Sequence, residues 1–283
     1  MITAPIYKDT IYTYTGETLV YNISLNGNII FNGKAYSAPG EETINVNINR
    51  ICENYLNNYD IEDILLGDSS ASTANTAFRE FALNNESGST LEVYDFLYNY
   101  DYDGIFNSEG MVLSDPINHK TAINFVPVYT YFDGSAVING LNASAYTENV
   151  CDAEYAVYYL NAKGGWDGFV LEGSSQKTDK IARHQYNKAF SNQTIEYEKN
   201  TYISEITSSW KLNTGLLDDA QAKKMCWHLL ASNRVYLHDL KADRIYPAVI
   251  TNTQNIYQTY RNNENQPIQY EIDLTESQIK LRQ

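Results

Sequence analysis

The chain has 283 residues, of which 43% are hydrophobic and 13% aromatic, a composition typical of a globular protein with a substantial core. Its 35 Asp and Glu against 20 Lys and Arg give a net charge of −15, and no run of basic residues occurs. Because proteins grip nucleic acids largely by neutralising phosphates, this composition argues against specific DNA or RNA binding. Tyrosine is abundant, with 25 residues against 9 phenylalanines, which favours half-buried strand faces and protein interfaces.

The cysteines and the first residues of the chain exclude further classes. Cys52, Cys151 and Cys226 are far apart and odd in number, so we expect neither a disulfide framework nor a zinc site. No basic region followed by an apolar core opens the chain, and no apolar run approaches the length of a membrane span. We therefore expect no signal peptide, no membrane segment and no cofactor.

The first third of the chain has the residue pattern of β-strands. Residues 19–25 and 29–31 predict two strands joined by a tight Asn26-Gly27 turn. Asn32-Gly33 predicts a second turn of the same kind, because asparagine followed by glycine tolerates the positive φ angles that such turns need.

A half-buried strand followed by a short helix comes next. In residues 43–49, Ile44, Val46 and Ile48 alternate with asparagines, which indicates a strand with one buried face. Apolar spacing then becomes helical and predicts a short helix over residues 50–57. Further strands are predicted over residues 78–83, 91–100 and 121–132, which completes an N-terminal β module at residues 1–132.

A linker separates this module from a second one. Residues 133–150 are rich in Gly, Asn and Ser without clear periodicity, and we predict a junction there. Residues 151–283 then predict a C-terminal β module. Its expected strands are 153–160, 169–171, a long hairpin of 194–197 with 202–212, and a meander of 234–240, 245–250, 255–261 and 269–274.

The strongest helix signal lies inside the second module. Asp218 and Gln221 form a capping-box pattern, and apolar residues follow at helical spacing, so a helix is predicted over about residues 218–232. The predicted fold class is thus mainly β: two sandwich- or barrel-like modules, each with a helix, and the stronger helix in the C-terminal module.

The stretch GGWDG is the first candidate site. A dinucleotide loop needs GxGxxG before a helix and a P-loop needs GxxxxGK followed by Ser or Thr, and neither pattern is present. We interpret Gly164 and Gly165 as a hairpin turn, Trp166 as covering the core beside it and Asp167 as capping the bend. These four residues, with Trp210, are candidates for a structural hairpin or a subunit interface rather than for catalysis.

Other patterns also fall short of a catalytic or metal site. Asn99-Tyr-Asp-Tyr-Asp-Gly104 resembles the opening of a calcium loop, but Gly110 occupies the position that requires Glu. The four histidines form no HExxH or HxH pair, and no GxSxG elbow is present. Because paired carboxylates come from distant positions, a glycan hydrolase stays a third alternative. We expect no enzyme and no metal.

Several segments together resemble tail-associated ring or connector proteins of crAss-like gut bacteriophages. In the N-terminal half the segment is NGNIIFNGKAYSAPGEETINVNINRICENYL. In the C-terminal half the segments are YYLNAKGGWDGFVLEG, QYNKAF, TIEYEKNTYISEI, VYLHDL, PAVIT and YEIDLTESQIKLR. The resemblance covers most of the chain and carries no active-site residues.

The resemblance implies a structural subunit of a tail or head–tail connector ring around the DNA exit path. The implied partners are copies of itself, in six- or twelve-fold symmetry, and other tail or portal-proximal virion proteins, in a virion assembled in the host cytoplasm. An acidic lumen would repel phosphates, so contact with exiting DNA is expected to be passive. A strand edge such as residues 269–274 is expected to add to a neighbour's sheet. The alternative is a receptor- or carbohydrate-binding tail module, with Trp166 or Trp210 exposed in a groove.

Overall fold

A computed structural model describes residues 2–7, 9–56, 78–97, 111–114, 116–118, 120–125, 129–132, 137–140, 148–187, 199–252, 271–277 and 280–282. The fold is mainly β, as predicted, with a helix in each half and the longer helical segment in the C-terminal half. The strands are β1 (Ile2–Pro5), β2 (Ile11–Thr15), β3 (Thr18–Leu25), β4 (Asn28–Tyr36), β5 (Thr43–Asn47), β6 (Phe78–Asn85), β7 (Thr90–Leu97), β8 (Met111–Val112), β9 (Lys120–Ala122), β10 (Tyr129–Phe132), β11 (Val137–Gly140), β12 (Glu148–Val150), β13 (Tyr155–Leu160), β14 (Trp166–Leu171), β15 (Ser175–Asn187), β16 (Lys199–Asn213), β17 (Val235–Asp239), β18 (Arg244–Ile250), β19 (Glu271–Glu276) and β20 (Lys280–Arg282).

The chain divides into two compact units, each built from three separate stretches of the sequence. The first is made of Met1–Asp115, Val128–Ala143 and Asn161–Trp166, and the second of Pro116–Pro127, Ser144–Leu160 and Asp167–Gln283. This division differs from the boundaries expected from sequence, 1–132 and 151–283 with a linker at 133–150, which treat each module as a continuous run. Parallel pairing of β9 with β12 explains part of the difference, because it ties Lys120–Ala122 to Glu148–Val150.

The first unit is built on a five-stranded sheet with the order β1-β7-β6-β3-β4. The pairing of β1 with β7 is parallel, and the other neighbours are antiparallel. A separate β2–β5 ladder leads into helix α1 (Ile48–Cys52) and a 3-10 turn (Glu53–Tyr55). Strands β8, β10 and β11 form a small third sheet.

The core of the first unit is formed by the side chains on the buried faces of its strands. Ile44, Val46 and Ile48 are buried, as their spacing predicts. On the larger sheet, Phe81 lies opposite Tyr94 and both are fully buried. Burial raises the pKa of Tyr94 to about 12, so its phenol stays neutral at all physiological pH values.

The two Asn-Gly pairs behave differently. Asn26 and Gly27 have φ angles of 53° and 78°, as a tight hairpin turn requires, and this prediction is correct. The second predicted turn is wrong, because Asn32 and Gly33 lie inside the nine-residue strand β4. Gly33 pairs with Tyr21, whose ring passes so close that a Cβ at position 33 would lie 2.5 Å from the Tyr21 Cζ. Glycine is needed here for close packing rather than for a turn.

We expect Gly33→Val to lower the free energy of unfolding by about 1–3 kcal/mol, because the new side chain displaces the buried Tyr21 ring. Urea denaturation of the purified variant measures this change. Asn32→Val is the matched control, since it adds the same side chain to an exposed neighbouring position of β4. Equal stability of the two variants would show that the Tyr21 ring adjusts freely.

The second unit is built on an eight-stranded sheet. Its order is β14-β13-β17-β18-β19-β16-β15, with β20 pairing to β16 beside this path. Alternate side chains of one face form a single buried cluster, which is covered by Leu217, just before the helical segment, and by Met225 and Leu229 within it. The cluster members from the strands are Val157, Tyr159, Phe169, Leu171, Trp210, Leu212, Val235, Leu237, Ala248, Ile272 and Leu274.

The helical segment begins where the sequence predicts. The Asp218 carboxylate accepts a hydrogen bond from the Gln221 amide at 2.7 Å, and the Gln221 side chain accepts one from the Asp218 amide at 2.9 Å. Helix α2 (Asp219–Lys224) then widens into a π-helical segment, Met225–Leu230, in place of the regular α-helix that the spacing indicates.

Strand β19 is expected from the sequence to be a free edge of the sheet, and the structure shows that it is not. Strand β19 pairs with β16 on one side and with β18 on the other, so it is internal to the sheet. The predicted use of residues 269–274 as an edge for a neighbouring chain is therefore wrong for the described part, 271–274. The predicted meander is correct for β17, β18 and β19, while residues 255–261 lie outside the described part of the chain.

Candidate functional site

The GGWDG stretch begins in a hairpin turn, as the sequence predicts. Strands β13 and β14 are neighbours in the sheet, and Gly164 has a φ of 88° in the turn between them. The Asn161 side chain organises this turn, since its oxygen accepts hydrogen bonds from the amides of Lys163 at 2.9 Å and Gly165 at 3.0 Å. Its side-chain nitrogen donates to the Leu113 carbonyl at 2.7 Å. The backbone of the turn is thus held by the protein itself and does not form a phosphate cradle.

The other three candidate residues lie in strands and are buried. Trp166 and Asp167 are the first residues of β14 and are fully buried. Trp210 is 2% exposed and belongs to the core cluster of the second unit. Neither indole is therefore available to a partner subunit or a sugar. The tryptophan at the surface is Trp227, which is 69% exposed on the π-helical segment and gives no sequence signal of its own.

In the described ranges Cys52 is buried, and two histidines contact carboxylates. Burial raises the pKa of Cys52 to about 12, which keeps its thiol protonated and unreactive. His184 contacts Glu205 and His238 contacts Asp243, each at 3.1 Å. Within the described ranges no group of three or more His, Cys, Asp or Glu could hold a metal ion. His119 and the calcium-like stretch 99–104 lie outside those ranges.

One pair of carboxylates does meet across two strands. Asp95 of β7 lies opposite Glu80 of β6, and Asp95 is buried whereas Glu80 is exposed. Burial, and then repulsion from Glu80, raise the pKa of Asp95 above its ordinary value. A raised pKa in one member of an acid pair is also a feature of glycosidases, but the pair lies in the body of the sheet rather than in a described cleft.

We expect Asp95→Asn to stabilise the protein at neutral pH and to have little effect in acid. A carboxyl with a raised folded pKa contributes stability below its unfolded pKa of about 4 and loses that contribution as the pH rises through the folded value. Asparagine keeps the shape without the charge. Thermal unfolding at a series of pH values measures the difference, with Glu41→Gln as the control at an exposed position that does not act on Asp95. A uniform effect across the series would contradict this reasoning.

The second unit carries a long two-stranded ribbon, of which the sequence indicated one strand, β16, but not the other, β15. Strands β15 and β16 pair through thirteen registered residues, from Ser175 with Leu212 to Asn187 with Lys199. Strand β15 is the edge of the eight-stranded sheet, and all of its residues except Ser175 are exposed. An exposed edge of this length presents a row of unpaired backbone groups to another chain.

The outer end of this ribbon, His184–Asn187 with Lys199–Ile203, extends beyond the other described strands of the sheet. In the described part of the chain, β16 pairs with β19 at Ser209–Asn213 and with β20 at Ser204–Ile206, and farther out it pairs with β15 alone. Tyr186 and Tyr202 are exposed there, and Ile181 is exposed farther in, where β16 also pairs with β20. An isolated two-stranded ribbon is only marginally stable in water, so an exposed one with apolar side chains favours a docking partner.

The first unit also ends its sheet in a long exposed strand. Strand β4 is the edge of the five-stranded sheet and runs for nine residues, none of them fully buried. Ile29, Phe31 and Tyr36 of this strand are large exposed hydrophobic residues. Each unit thus presents one long edge strand to solvent.

Charge is distributed unevenly between the two units. The first unit has 18 Asp or Glu and 5 Lys or Arg, a net charge of −13, whereas the second has 17 and 15, a net charge of −2. Residues 175–213, which include the ribbon, have 6 Lys or Arg and 4 Asp or Glu, a net charge of +2. The chain therefore carries an acidic unit and a weakly basic ribbon.

The ribbon differs from the hairpin predicted over 194–197 and 202–212. The partner of β16 is 175–187, and residues 188–198 lie outside the described part of the chain. Strand β15 reads SQKTDKIARHQYN and is exposed on both faces, so it lacks the alternation of apolar and polar residues that reveals a half-buried strand. A dense run of polar residues opposite a recognisable strand is the signal that could have located it.

Comparisons with known proteins give no assignment. No protein-family model matches the chain, and no curated protein gives a significant match. In the described ranges, none of the helices has the length and apolar character needed to cross a bilayer.

Proposed function

We propose that this chain is a structural subunit of a closed ring in a bacteriophage tail or head–tail connector, and that it works by contact with copies of itself. The phage assignment depends on the sequence resemblance to tail-associated proteins of crAss-like phages. The structural observation that carries the ring is the exposed edge of β15 in a ribbon of thirteen residue pairs.

The ribbon suits assembly for an energetic reason. Its edge can form a new ladder of backbone hydrogen bonds with an added strand, while Ile181, Tyr186 and Tyr202 gain burial on docking. Soluble monomers usually shorten, twist or cover such an edge, because it promotes unwanted pairing. An uncovered edge strand of thirteen residues therefore supports a permanent partner.

The position of the two edges favours a head-to-tail contact. Strand β15 belongs to the second unit and β4 to the first, so the two exposed edges are different surfaces. Contact between two different surfaces of identical subunits generates a closed ring when the rotation per subunit divides a full turn. A symmetric dimer would instead use one surface twice. The expected six- or twelve-fold symmetry comes from the family resemblance alone.

The alternative, a carbohydrate- or receptor-binding tail module, loses the feature that motivated it. That hypothesis needs Trp166 or Trp210 exposed in a groove, and both indoles are buried. An aromatic sugar platform would have to be built from other residues. We therefore retain the ring subunit as the proposed function.

Native mass spectrometry of the purified chain, combined with particle imaging, tests the proposal. The expected result is a concentration-dependent closed oligomer of six or twelve copies. A chain that stays monomeric at all accessible concentrations, and that binds glycans on an array, would overturn the ring and support the peripheral module.

A further inference from the structure

The uneven charge of the two units identifies how the copies would contact one another. We propose that the ribbon of one copy docks on the acidic first unit of the next copy, so that ring closure is driven by pairing opposite charges head to tail. This inference rests on the proposed ring and adds its contact surfaces and their chemistry.

The ribbon supplies cations that are free to pair. Lys180, Arg183 and Lys199 are exposed, and none of them forms an ion pair with a carboxylate among the described residues. The ribbon's other described cations are already engaged: Lys177 lies over the ring of Trp210, at 5.4 Å from its centroid, and Lys211 pairs with Glu271 at 2.7 Å. Lys180, Arg183 and Lys199 are therefore the side chains whose contacts a partner would complete.

The first unit supplies the matching anions. Among the described residues of this unit, exposed carboxylates outnumber exposed cations. The exposed carboxylates belong to Asp9, Glu17, Glu41, Glu42, Glu80 and Glu86. Glu86 lines an open groove of about 860 Å³ together with Tyr14, Thr18 and Leu91. Glu17 directly precedes the lining residue Thr18, so its backbone adjoins the groove.

The groove also lies close to the exposed edge of the sheet. The Ser37 amide, just after β4, donates to the Glu17 carbonyl at 3.1 Å. A hydrogen bond with Tyr36, and to a smaller extent the charge of Glu86, raise the pKa of Lys34 of β4. A ribbon that docks here places its cations near Glu17 and Glu86 and its exposed strand near β4. Charge complementarity of this kind fixes register and speeds association.

A second copy fits the ribbon better than a nucleic acid does. The cations of residues 175–213 are interspersed with four acidic residues and leave a net charge of only +2. A phosphate backbone would have to approach a chain whose first unit carries −13, whereas that same unit in another copy is attracted to the ribbon.

Charge reversal on each side tests the contact. The ribbon variant carries Lys180→Glu and Arg183→Glu. The groove variant carries Glu17→Lys and Glu86→Lys. The control variant carries Lys223→Glu and Arg234→Glu, which is the same charge change as in the ribbon variant. The control changes two exposed residues outside the ribbon. Sedimentation velocity of the full chain follows assembly at about 0.05 M and about 1 M NaCl, where screening lengths are about 14 and 3 Å.

We expect either altered side alone to raise the concentration needed for assembly by roughly tenfold or more, because like charges then face each other. The control is expected to assemble like the wild type, and wild-type assembly is expected to weaken at high salt. An equimolar mixture of ribbon and groove variants is expected to regain assembly at low salt. In that mixture every contact of an alternating ring again pairs opposite charges.

Failure of the two proposals can be told apart. Wild-type chains that never assemble overturn the ring itself. Wild-type rings that form equally well with both altered sides overturn the charge-paired contact and leave the ring standing. Loss of assembly without recovery in the mixture shows that the two surfaces do not meet. Binding of labelled duplex DNA by a monomeric wild type, abolished by the ribbon variant, assigns the ribbon to nucleic acid instead.

Discussion

A variant without the outer ribbon is expected to fold normally and to remain monomeric. Replacing residues 183–204 by Asn-Gly joins Ala182 to Glu205, which lie opposite each other in the β15–β16 register. A two-residue Asn-Gly loop suits this geometry, because its twist matches that of the flanking strands. The retained half of the ribbon keeps all five pairs between β16 and β19, so the sheet stays attached to its core.

Two measurements check this result. Native mass spectrometry is expected to show complete loss of the oligomer at concentrations where the wild type assembles. The midpoint of thermal unfolding of the monomer is expected to change by less than about 3 °C, because the described residues of the deleted segment are mostly exposed and none of them is buried. An oligomer of unchanged size would mean that the ring forms through other surfaces.

Trp210→Ala is expected to have the largest effect on stability, about 3–5 kcal/mol of the free energy of unfolding. The indole packs against Tyr246 with ring centroids 5.4 Å apart and lies inside the cluster beneath the helical segment. Truncation leaves a cavity bordered by several strands, which a sheet fixed on both sides of β16 cannot readily close. Urea denaturation followed by circular dichroism measures the loss.

Trp227→Ala is the matched control for the same change of side chain at the surface. Trp227 is 69% exposed, so its removal is expected to alter stability by no more than about 0.5 kcal/mol. Comparable losses in the two variants would contradict the burial of Trp210. A stable Trp210→Ala variant that loses glycan binding would instead favour the carbohydrate-binding module.

Most of the net negative charge of the chain belongs to the first unit. The net charge of −15 suggests a general repulsion of DNA from a ring lumen, but −13 of it belongs to the first unit. The same carboxylates serve the proposed subunit contact, and charges buried between copies do not face a lumen. A structure of the proposed ring would show which of these carboxylates face its lumen.

The sequence by itself determined the elements whose side chains alternate against a core. Ile44 and Val46 revealed strand β5 because one face of it is buried, although Ile48, in the same alternation, begins helix α1. Asp218 with Gln221 marked the start of α2 because capping depends on residues three positions apart. The Asn26-Gly27 turn was equally visible. Each of these features is local, so neighbouring residues contain the information that specifies it.

Only the tertiary structure decided what faces solvent and what pairs over long distances. Gly33 has the signature of a turn but lies in a strand, because the distant Tyr21 ring needs the space that a Cβ would occupy. Strand β15 lacks any periodic signal because both its faces are exposed, and its place at the sheet edge follows from pairing with β16 alone. The burial of Trp166 and Trp210 is likewise set by strands far away in the chain. Such contacts join residues that are far apart in the chain, so no short stretch of sequence contains the information that specifies them.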